Sequence, residues 1–557
     1  MNKTLKIILL VSFGIALAIL ACLPYLNNYY VQGGGLGRGD DVYYHAPRLL
    51  ALAMDLKYFN IPFDVARYFN NGFGMSFALF YPQFFLTIPA ALIALGLNAM
   101  FSYKIFVFLL TFATLAICYL TGKKMLKSDF AAICFAIIYT FATYRLGDIY
   151  HRFAIGEVQA ITFFPLFIYA IYNIFYEDGK RWYWLPISFF CVLNSHTLSA
   201  VFMVMAFAVF LIINIKSSIL DKSTRNAVLI GSAFCALVSL SFALPYLEQL
   251  SVQKLNIPNP WSNGNDLSLR LTGFFNNYMG NRATYYGVGI GLGVLMLAFV
   301  SVFFKKEKEK FFIHCWLLAI GFYLFASQAF NWDDGGILFK LFGFVQFPYR
   351  FWLIILPLAC IPACYPLKFI KPKHFQLIII LALVVNSALT IYPLKDMFRQ
   401  HSYQFWEFRG TFSEDGRGTP NTLAGEFLPV DIFKYTGSRE ASGRYAYGDN
   451  FAVNQHTDEQ YATKLGKWGH KAQISNAGET TIIMPIIYYK GYKAWYNGKR
   501  VPIGRSNMAL VTVSSDFGQS GELIVRYVPT FIQTAARLIT YPALLYLLWL
   551  TFRRRKS

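Results

Sequence analysis

Apolar runs of about 17 to 22 residues recur along the first 393 residues of this chain, and one more lies at its end. Each is close to the roughly 20 residues that an α-helix needs to cross the hydrocarbon core of a bilayer. Hydrocarbon offers no partner for exposed backbone N–H and C=O groups, so a chain with many such runs folds as a bundle of membrane helices. Composition agrees. Of 557 residues, 56% are hydrophobic and only 14% are charged, against roughly 25% charged in soluble domains. The first run, 5–24, has no small-x-small cleavage site between it and the Gly33–Gly35 run. It reads as a retained helix rather than a signal peptide.

Short basic loops set the orientation, because Lys and Arg favour the cytoplasmic side. The clusters are Lys3/Lys6, Lys123/Lys124/Lys127, Lys180/Arg181, Lys216/Lys222/Arg225, Lys305 to Lys310, Lys368/Lys371/Lys373 and Arg553 to Lys556. Placed inside, they predict twelve crossings with both termini inside: 5–24, 102–121, 129–144, 158–176, 182–195, 197–216, 226–246, 288–304, 311–329, 350–367, 374–393 and 530–552. The run 78–97 is also long enough, but a crossing there would put Lys123 to Lys127 outside. It is expected as a re-entrant or surface-lying helix.

The organisation that follows is a polytopic α-helical membrane module over 1–393, whose outer loop 25–101 carries interfacial helices. A β-rich extracytoplasmic domain is expected over 394–529, then a final membrane helix and basic tail over 530–557. The second half of 394–529 alternates polar and apolar residues, and Asn497-Gly498 between extended runs is a strong hairpin signal. Its first half is expected to be irregular.

The net charge of +21 is accounted for by these loops, and no basic-aromatic module points to nucleic acid. All eight cysteines lie in or beside apolar runs. Neither a disulfide framework nor a zinc pattern follows from their spacing.

Against this apolar background a few polar residues stand out, and charge near hydrocarbon is a functional hint. After the first run come Asp40, Asp41, His45 and Arg48. On a helix beginning near Asp41, Asp41, Tyr44, His45 and Arg48 fall at i, i+3, i+4 and i+7 and share a face. One Asp could simply cap a helix, but capping does not explain two acids with His45 and Arg48. Residues 144–157 add Arg145, Asp148, His151, Arg152 and Glu157. Glu157 opens an apolar span, where the helix dipole favours a carboxylate. Arg152 is suited either to pair with Glu157 or to hold a phosphate in bidentate fashion. His196 lies between two spans. Pro348 suits a first helical turn and sets Arg350, after Gln346, at the outer membrane edge as a snorkelling or a phosphate-binding arginine. Asp41 with His45, His151 and His196 could also hold a metal, though without the tight spacing of a metal motif.

In order, the chain reads GDDVYYHAPRL, YFNNGFGMSFALFYPQ, Arg152-x-x-x-x-Glu157, NSHTLS, QFPYR, GEFLP and YYKGYKAWYNGK. This series resembles bacterial YfhO-like membrane proteins, which are similar to the GT-C superfamily of polytopic glycosyltransferases. It spans nearly the whole chain, and its order is more specific than any single motif. The resemblance implies a polyprenyl-phosphate-linked sugar as donor. Transfer would be to an envelope glycan or lipid acceptor on the extracytoplasmic face of a bacterial cytoplasmic membrane. It also implies an acid of the first outer loop as catalytic base. The D-x-x-x-H spacing matches Asp41 and His45, which are taken with Glu157 as catalytic. Asp40, Arg48, Asp148, His151, Arg152, His196, Gln346, Arg350 and Glu426 are taken as substrate-binding. Some GT-C members use an acidic pair with a divalent metal. Here the acids are adjacent rather than D-x-D, so a divalent metal stays open.

The expected chemistry is inverting transfer. Asp41 deprotonates the acceptor hydroxyl as it attacks the anomeric carbon, and polyprenyl phosphate leaves without needing a proton. Its phosphate would sit against Arg152, Arg350 or Arg48. Glu426, Trp495 and Tyr496 of the outer domain are candidates for holding the acceptor. The alternative is a non-enzymatic carrier, flippase or assembly protein for lipid-linked glycans.

Overall fold

A computed structural model describes residues 2–26, 41–59, 63–67, 69, 72–256, 268–269, 309–333, 335–400, 427–432, 451–466, 469–475 and 477–553. The helices are α1 Lys3–Leu26, α2 Val42–Lys57, α3 Phe77–Phe80, α4 Thr87–Ala94, α5 Ala99–Leu126, α6 Asp129–Thr140, α7 Thr143–Gly147, α8 Ile155–Tyr176, α9 Trp184–Leu193, α10 Thr197–Ile213, α11 Ile215–Leu220 and α12 Lys222–Leu250. They continue with α13 Lys310–Phe325, α14 Ile337–Phe342, α15 Trp352–Cys364, α16 Lys373–Gln400 and α17 Phe531–Arg553. Among the described residues, 8 helical stretches are long and apolar enough to cross a membrane, and three shorter apolar helices, α9, α10 and α13, accompany them. The chain is a multi-pass helical membrane protein with a C-terminal β-rich domain. The expected crossing at 288–304 lies outside the described residues, and each of the others has a helix.

Local chemistry fixes the helix ends. Asn98 caps α5 by accepting from Phe101 N–H, and Ser128 caps α6 by accepting from Ala131 N–H. Between them Lys127 takes the left-handed conformation, φ 53°, that closes a helix C-terminus. The two helices then pack closely at Gly122, where a Cβ would meet the Phe135 ring at 2.9 Å. Small residues permit this approach in membrane bundles, where packing rather than water drives association.

The run 78–97 does not form one long helix. It holds the end of α3 and the 8-residue α4, and α4 rises only about 12 Å, far short of a roughly 30 Å core. At 10 residues, α9 is similarly short. However, the segment before it folds back along α8: Arg181 donates to the Tyr169 hydroxyl at 2.7 Å and its N–H to Asn173 Oδ1 at 2.8 Å. With that start, α9 returns Ser195 to Gly156, at the opening of α8.

The bundle therefore has two chemically distinct ends. At one, Lys6 and Lys123 both pair with Asp129 (2.6 and 2.8 Å), and Lys368 pairs with Glu309 at 3.0 Å. At the other, Asp41 N–H donates to Arg152 O at 2.9 Å, and α12 meets the β domain through Gln249 and Lys490.

That domain pairs nine strands antiparallel in the order β6-β5-β9-β3-β2-β1-β4-β8-β7. They are β1 Phe451–Asn454, β2 Gln460–Gly466, β3 Gly469–Ile474, β4 Gly478–Ile487, β5 Tyr492–Tyr496, β6 Lys499–Val501, β7 Ile503–Arg505, β8 Leu510–Phe517 and β9 Gly521–Tyr527. The hairpin at Asn497-Gly498 is present. Tyr496 pairs with Lys499, and both turn residues have positive φ (48° and 77°), as a two-residue hairpin turn requires. The sheet docks on the first loop: Ile487 N–H donates to Phe73 O, and His470 Nε2 to Gly72 O.

Candidate active site

Glu157 is the centre of the site. It lies in the first turn of α8 and is 2% exposed. Arg152 approaches it in bidentate fashion, Nη1 to Oε2 at 3.0 Å and Nη2 to Oε1 at 3.1 Å. Arg350 donates Nε to Oε1 at 2.9 Å, and the Tyr144 hydroxyl donates to Oε2 at 2.5 Å. Four donors thus saturate a buried carboxylate, the condition under which a charge is tolerated away from water. Arg350 is consequently not a snorkelling side chain. It opens the span as expected, but its head turns inward to Glu157, and its Nη1 donates to Gln346 Oε1 at 2.5 Å.

The backbone around both arginines is unusual. Asp148–Arg152 is a single turn of π-helix, ended by Phe153 at φ 57°. Such turns concentrate at functional sites. Within it Asp148, fully buried, accepts from Arg152 Nη1 at 2.7 Å, and His151 is half-buried. Gln346 has φ 66° and ψ −51°, and Phe347 N–H bonds to Val345 O at 2.8 Å. This is a γ-turn of the rare left-handed kind, a strain of about 1–3 kcal/mol that a tightly determined surrounding must offset.

Asp41 stands at the edge of this cluster. It occupies the N-cap position of α2, yet its side chain makes no capping bond. Its carboxylate is 37% exposed and lies 3.9 Å from Arg152 Nη2. One and two turns further on, α2 sends His45 and Arg48 into the interior, 4% and 1% exposed. The His45 ring packs between those of Tyr44 (5.2 Å) and Tyr81 (5.6 Å). Burial, with help from the Arg48 charge, holds His45 well below the ordinary imidazole range. His196 caps α10 through Nδ1, which accepts from Ser199 N–H at 3.3 Å. Burial lowers its pKa to about 3, against an opposing pull from Glu157. Both histidines are therefore neutral near pH 7.

Arg48 differs from the other two arginines. Its Nη2 reaches Pro82 O at 3.4 Å, and its guanidinium lies 4.4 Å over the Tyr81 ring. Nε and Nη1 are buried without a hydrogen-bond partner among the described residues. Arg152 and Arg350 share the buried Glu157, and Arg152 also holds the buried Asp148; Arg48 is a buried cation without a carboxylate partner among the described residues.

The structure thus brings Asp41, Asp148, Arg152, Glu157, Gln346 and Arg350 into one connected cluster. His45, Arg48 and His196 gather around Tyr81 beside it, with His196 5.8 Å from that ring. Asp40 and Glu426 lie outside the described residues. Tyr496 turns into the β-domain core, where its hydroxyl bonds Gln519 O, while Trp495 faces outward beneath Arg526 at 4.4 Å. Tyr81, Tyr144 and Tyr349 were not expected; the Tyr349 ring lies 5.3 Å from the Arg152 guanidinium. Among the described residues, no group of three His, Cys, Asp or Glu side chains is arranged to hold a metal. The three outer histidines and Asp41 do not form one.

No protein-family model and no curated protein matches the chain. Similar solved structures include the arabinofuranosyltransferase AftD from Mycobacteria, at 14% identity and TM-score 0.43, covering 68% of this chain and 27% of AftD. The oligosaccharyltransferase of Archaeoglobus fulgidus in its apo form is 11% identical at TM-score 0.42, with 79% and 62% covered. ArnT from Cupriavidus metallidurans bound to undecaprenyl phosphate is 11% identical at TM-score 0.39, with 75% and 78% covered. The chain spans about a quarter of the length of AftD.

Proposed function

We propose that this protein is a membrane glycosyltransferase that moves a sugar from a polyprenyl-phosphate donor to an envelope glycan or lipid acceptor. The observation that carries the reading is Asp41: a carboxylate that neither caps its helix nor is buried, at the rim of a cluster of three buried arginines. That pairing suits a base beside an anion site. Asp41 removes the acceptor proton as the hydroxyl oxygen attacks the anomeric carbon. The bond from that carbon to the phosphate oxygen breaks, and polyprenyl phosphate departs as the anion.

Arg48 is the proposed first ligand of the donor phosphate, because its guanidinium has donors to spare. Arg152 and Arg350, held rigidly on Glu157, add positive potential where charge develops on the leaving group. Glu157 itself is proposed to act by positioning them, since its oxygens are already saturated. The basic end of the bundle is taken as cytoplasmic, which puts the site and the β domain on the outer side of a bacterial cytoplasmic membrane. The ordered motif series that resembles YfhO-like and GT-C proteins supports the same reading.

A carrier for lipid-linked glycans would call for coupling charges at mid-span. In the described spans the carboxylates Asp129, Asp148, Glu157 and Glu248 all lie near one membrane end or the other. The test is mass spectrometry of envelope glycans from cells carrying wild type, Asp41→Asn or no protein. Transfer is expected only with wild type. Glycans unchanged by removal of the protein would overturn the function, and full activity of Asp41→Asn would overturn the base.

A further inference from the structure

Tyr81 closes the motif YFNNGFGMSFALFYPQ and packs against the buried Arg48, yet it was not among the residues singled out for a role. It follows α3 in extended conformation (φ −136°, ψ 116°). Its ring is packed by Tyr44 at 5.7 Å, His45 at 5.6 Å and His196 at 5.8 Å, with Arg48 stacked at 4.4 Å. This fixes the direction of the phenol. It points at the first turn of α8, where a Cβ on Gly156 would lie 2.2 Å from the Tyr81 oxygen and 3.2 Å from Ser195 O. No other residue type fits at 156 without displacing the hydroxyl. Gly156 is in a helix, so turn geometry does not call for glycine; the close approach does.

The environment of that hydroxyl is equally specific. It feels the charges of Arg48, Asp41, Glu157 and Arg350, and burial raises its pKa well above the ordinary phenol range, so it stays a donor. It makes no hydrogen bond to the described residues, whereas Tyr144 spends its own on Glu157. No side chain caps the turn it faces; Ile155 N–H is taken by Phe153 O at 2.8 Å, and the N–H groups of Gly156 and Glu157 are the ones that face a ligand. Orphan N–H groups at a helix start favour an anion, and the second, independent pointer is Arg48, 1% exposed with Nε and Nη1 unpaired.

We propose that Tyr81 is a direct ligand of the donor phosphate, donating its phenolic O–H to a phosphate oxygen between Arg48 and the first turn of α8, and that Gly156 exists to admit that contact. This rests on the donor-phosphate reading above and adds a residue and a geometric requirement to it. The phenol transfers no proton. It holds one more hydrogen bond to the phosphate, which is strengthened as the glycosidic bond breaks and negative charge accumulates on the leaving oxygen.

The probe is undecaprenyl phosphate, which carries the leaving group without requiring the sugar to be known. Its affinity for the full-length protein in nanodiscs is measured for wild type, Tyr81→Phe, Gly156→Ala and Tyr176→Phe, the last at the opposite end of the bundle. Losing one hydrogen bond to a charged group is expected to weaken binding roughly 10- to 100-fold in Tyr81→Phe. Gly156→Ala should weaken it too, and Tyr176→Phe should not. The 31P shift of bound lipid reports the contact directly and should move in Tyr81→Phe, because the phosphate loses the phenolic hydrogen bond while the ring packing and thermal stability are expected to be kept. Tight binding by wild type with unchanged affinity and 31P shift in Tyr81→Phe overturns the role of Tyr81 alone. Absence of binding by wild type overturns the donor-phosphate reading beneath it.

Discussion

At the scale of single residues, the acids of the site divide by environment. Asp41, 37% exposed, is the base of the proposed reading, and removing a general base typically costs about 10²–10⁴ in rate. Asp41→Asn is expected to lose turnover by that order while keeping the thermal stability of wild type, since its carboxylate makes no capping bond. Asp40→Asn should lose less; the reverse order in a transfer assay would move the base to Asp40. Glu157 should behave differently. Glu157→Gln leaves Arg152 and Arg350 without their shared counter-charge in a buried setting, and breaking such a pair costs about 3–5 kcal/mol. Its expected signature is a lowered melting temperature together with lost activity. A Glu157→Gln protein as stable as wild type would contradict the saturated network. That Asp41, His45, Arg48, Arg152, Glu157 and Arg350 come together at one end of the bundle was foreshadowed in the sequence, because ionisable side chains are conspicuous in an apolar chain. Tyr81, Tyr144 and Tyr349 were not singled out: Tyr81 and Tyr349 stand inside motifs of the series, but with aromatic residues at 18% of the chain nothing local separates a tyrosine beside these charges from one in the core. Gly156, a glycine beside the acid that opens a span, was a further usable signal.

At the scale of elements, the site is assembled from pieces that enter from the same end of the bundle. α2 contributes Asp41, His45 and Arg48, the π-turn Asp148 and Arg152, α8 Glu157, the loop before α10 His196, and the strained turn before α15 Gln346 and Arg350. Helical spacing revealed the α2 face in advance, because it depends only on local geometry. The γ-turn at Gln346 and the fold-back before α9 were not readable, since each is imposed by tertiary contacts. The proposed topology is tested at this scale: it puts Asp41, Glu157, Arg350 and the β domain on one side of the membrane, and Lys123 with Lys124 on the other. Cysteines placed singly on a cysteine-free background should react with an impermeant maleimide from outside the cell at 41 but not at 124. External labelling at 124 would mean that the region 78–97 crosses after all and that the two ends of the bundle have been misjudged.

At the scale of the whole molecule, the β domain and the membrane bundle are joined through the same loop that carries Tyr81. Asp64 pairs with Arg537 of α17, Arg67 Nη1 donates to Gly466 O at 3.3 Å, and His470 Nε2 donates to Gly72 O at 2.6 Å. Sequence alternation revealed the strands but not this docking, because the partners are about 400 residues apart in the chain. The His470 contact is expected to make the docking sensitive to acid. Burial lowers the His470 pKa to about 4, the bond to Gly72 opposes that in part, and the Arg67 charge adds to it. A folded-state pKa below the unfolded value near 6.5 means that stability is fully present above about pH 6.5 and is lost as pH falls toward 4. The loss amounts to about 3 kcal/mol at most. Carboxylates titrate over part of the same range, so wild type must be compared with His470→Gln, which keeps an N–H donor but cannot be protonated. Between pH 6.5 and 4, the melting temperature of wild type in nanodiscs is expected to fall further than that of His470→Gln. Parallel curves for the two proteins would show that His470 does not carry the acid response, and that the sheet is held on the loop independently of its protonation.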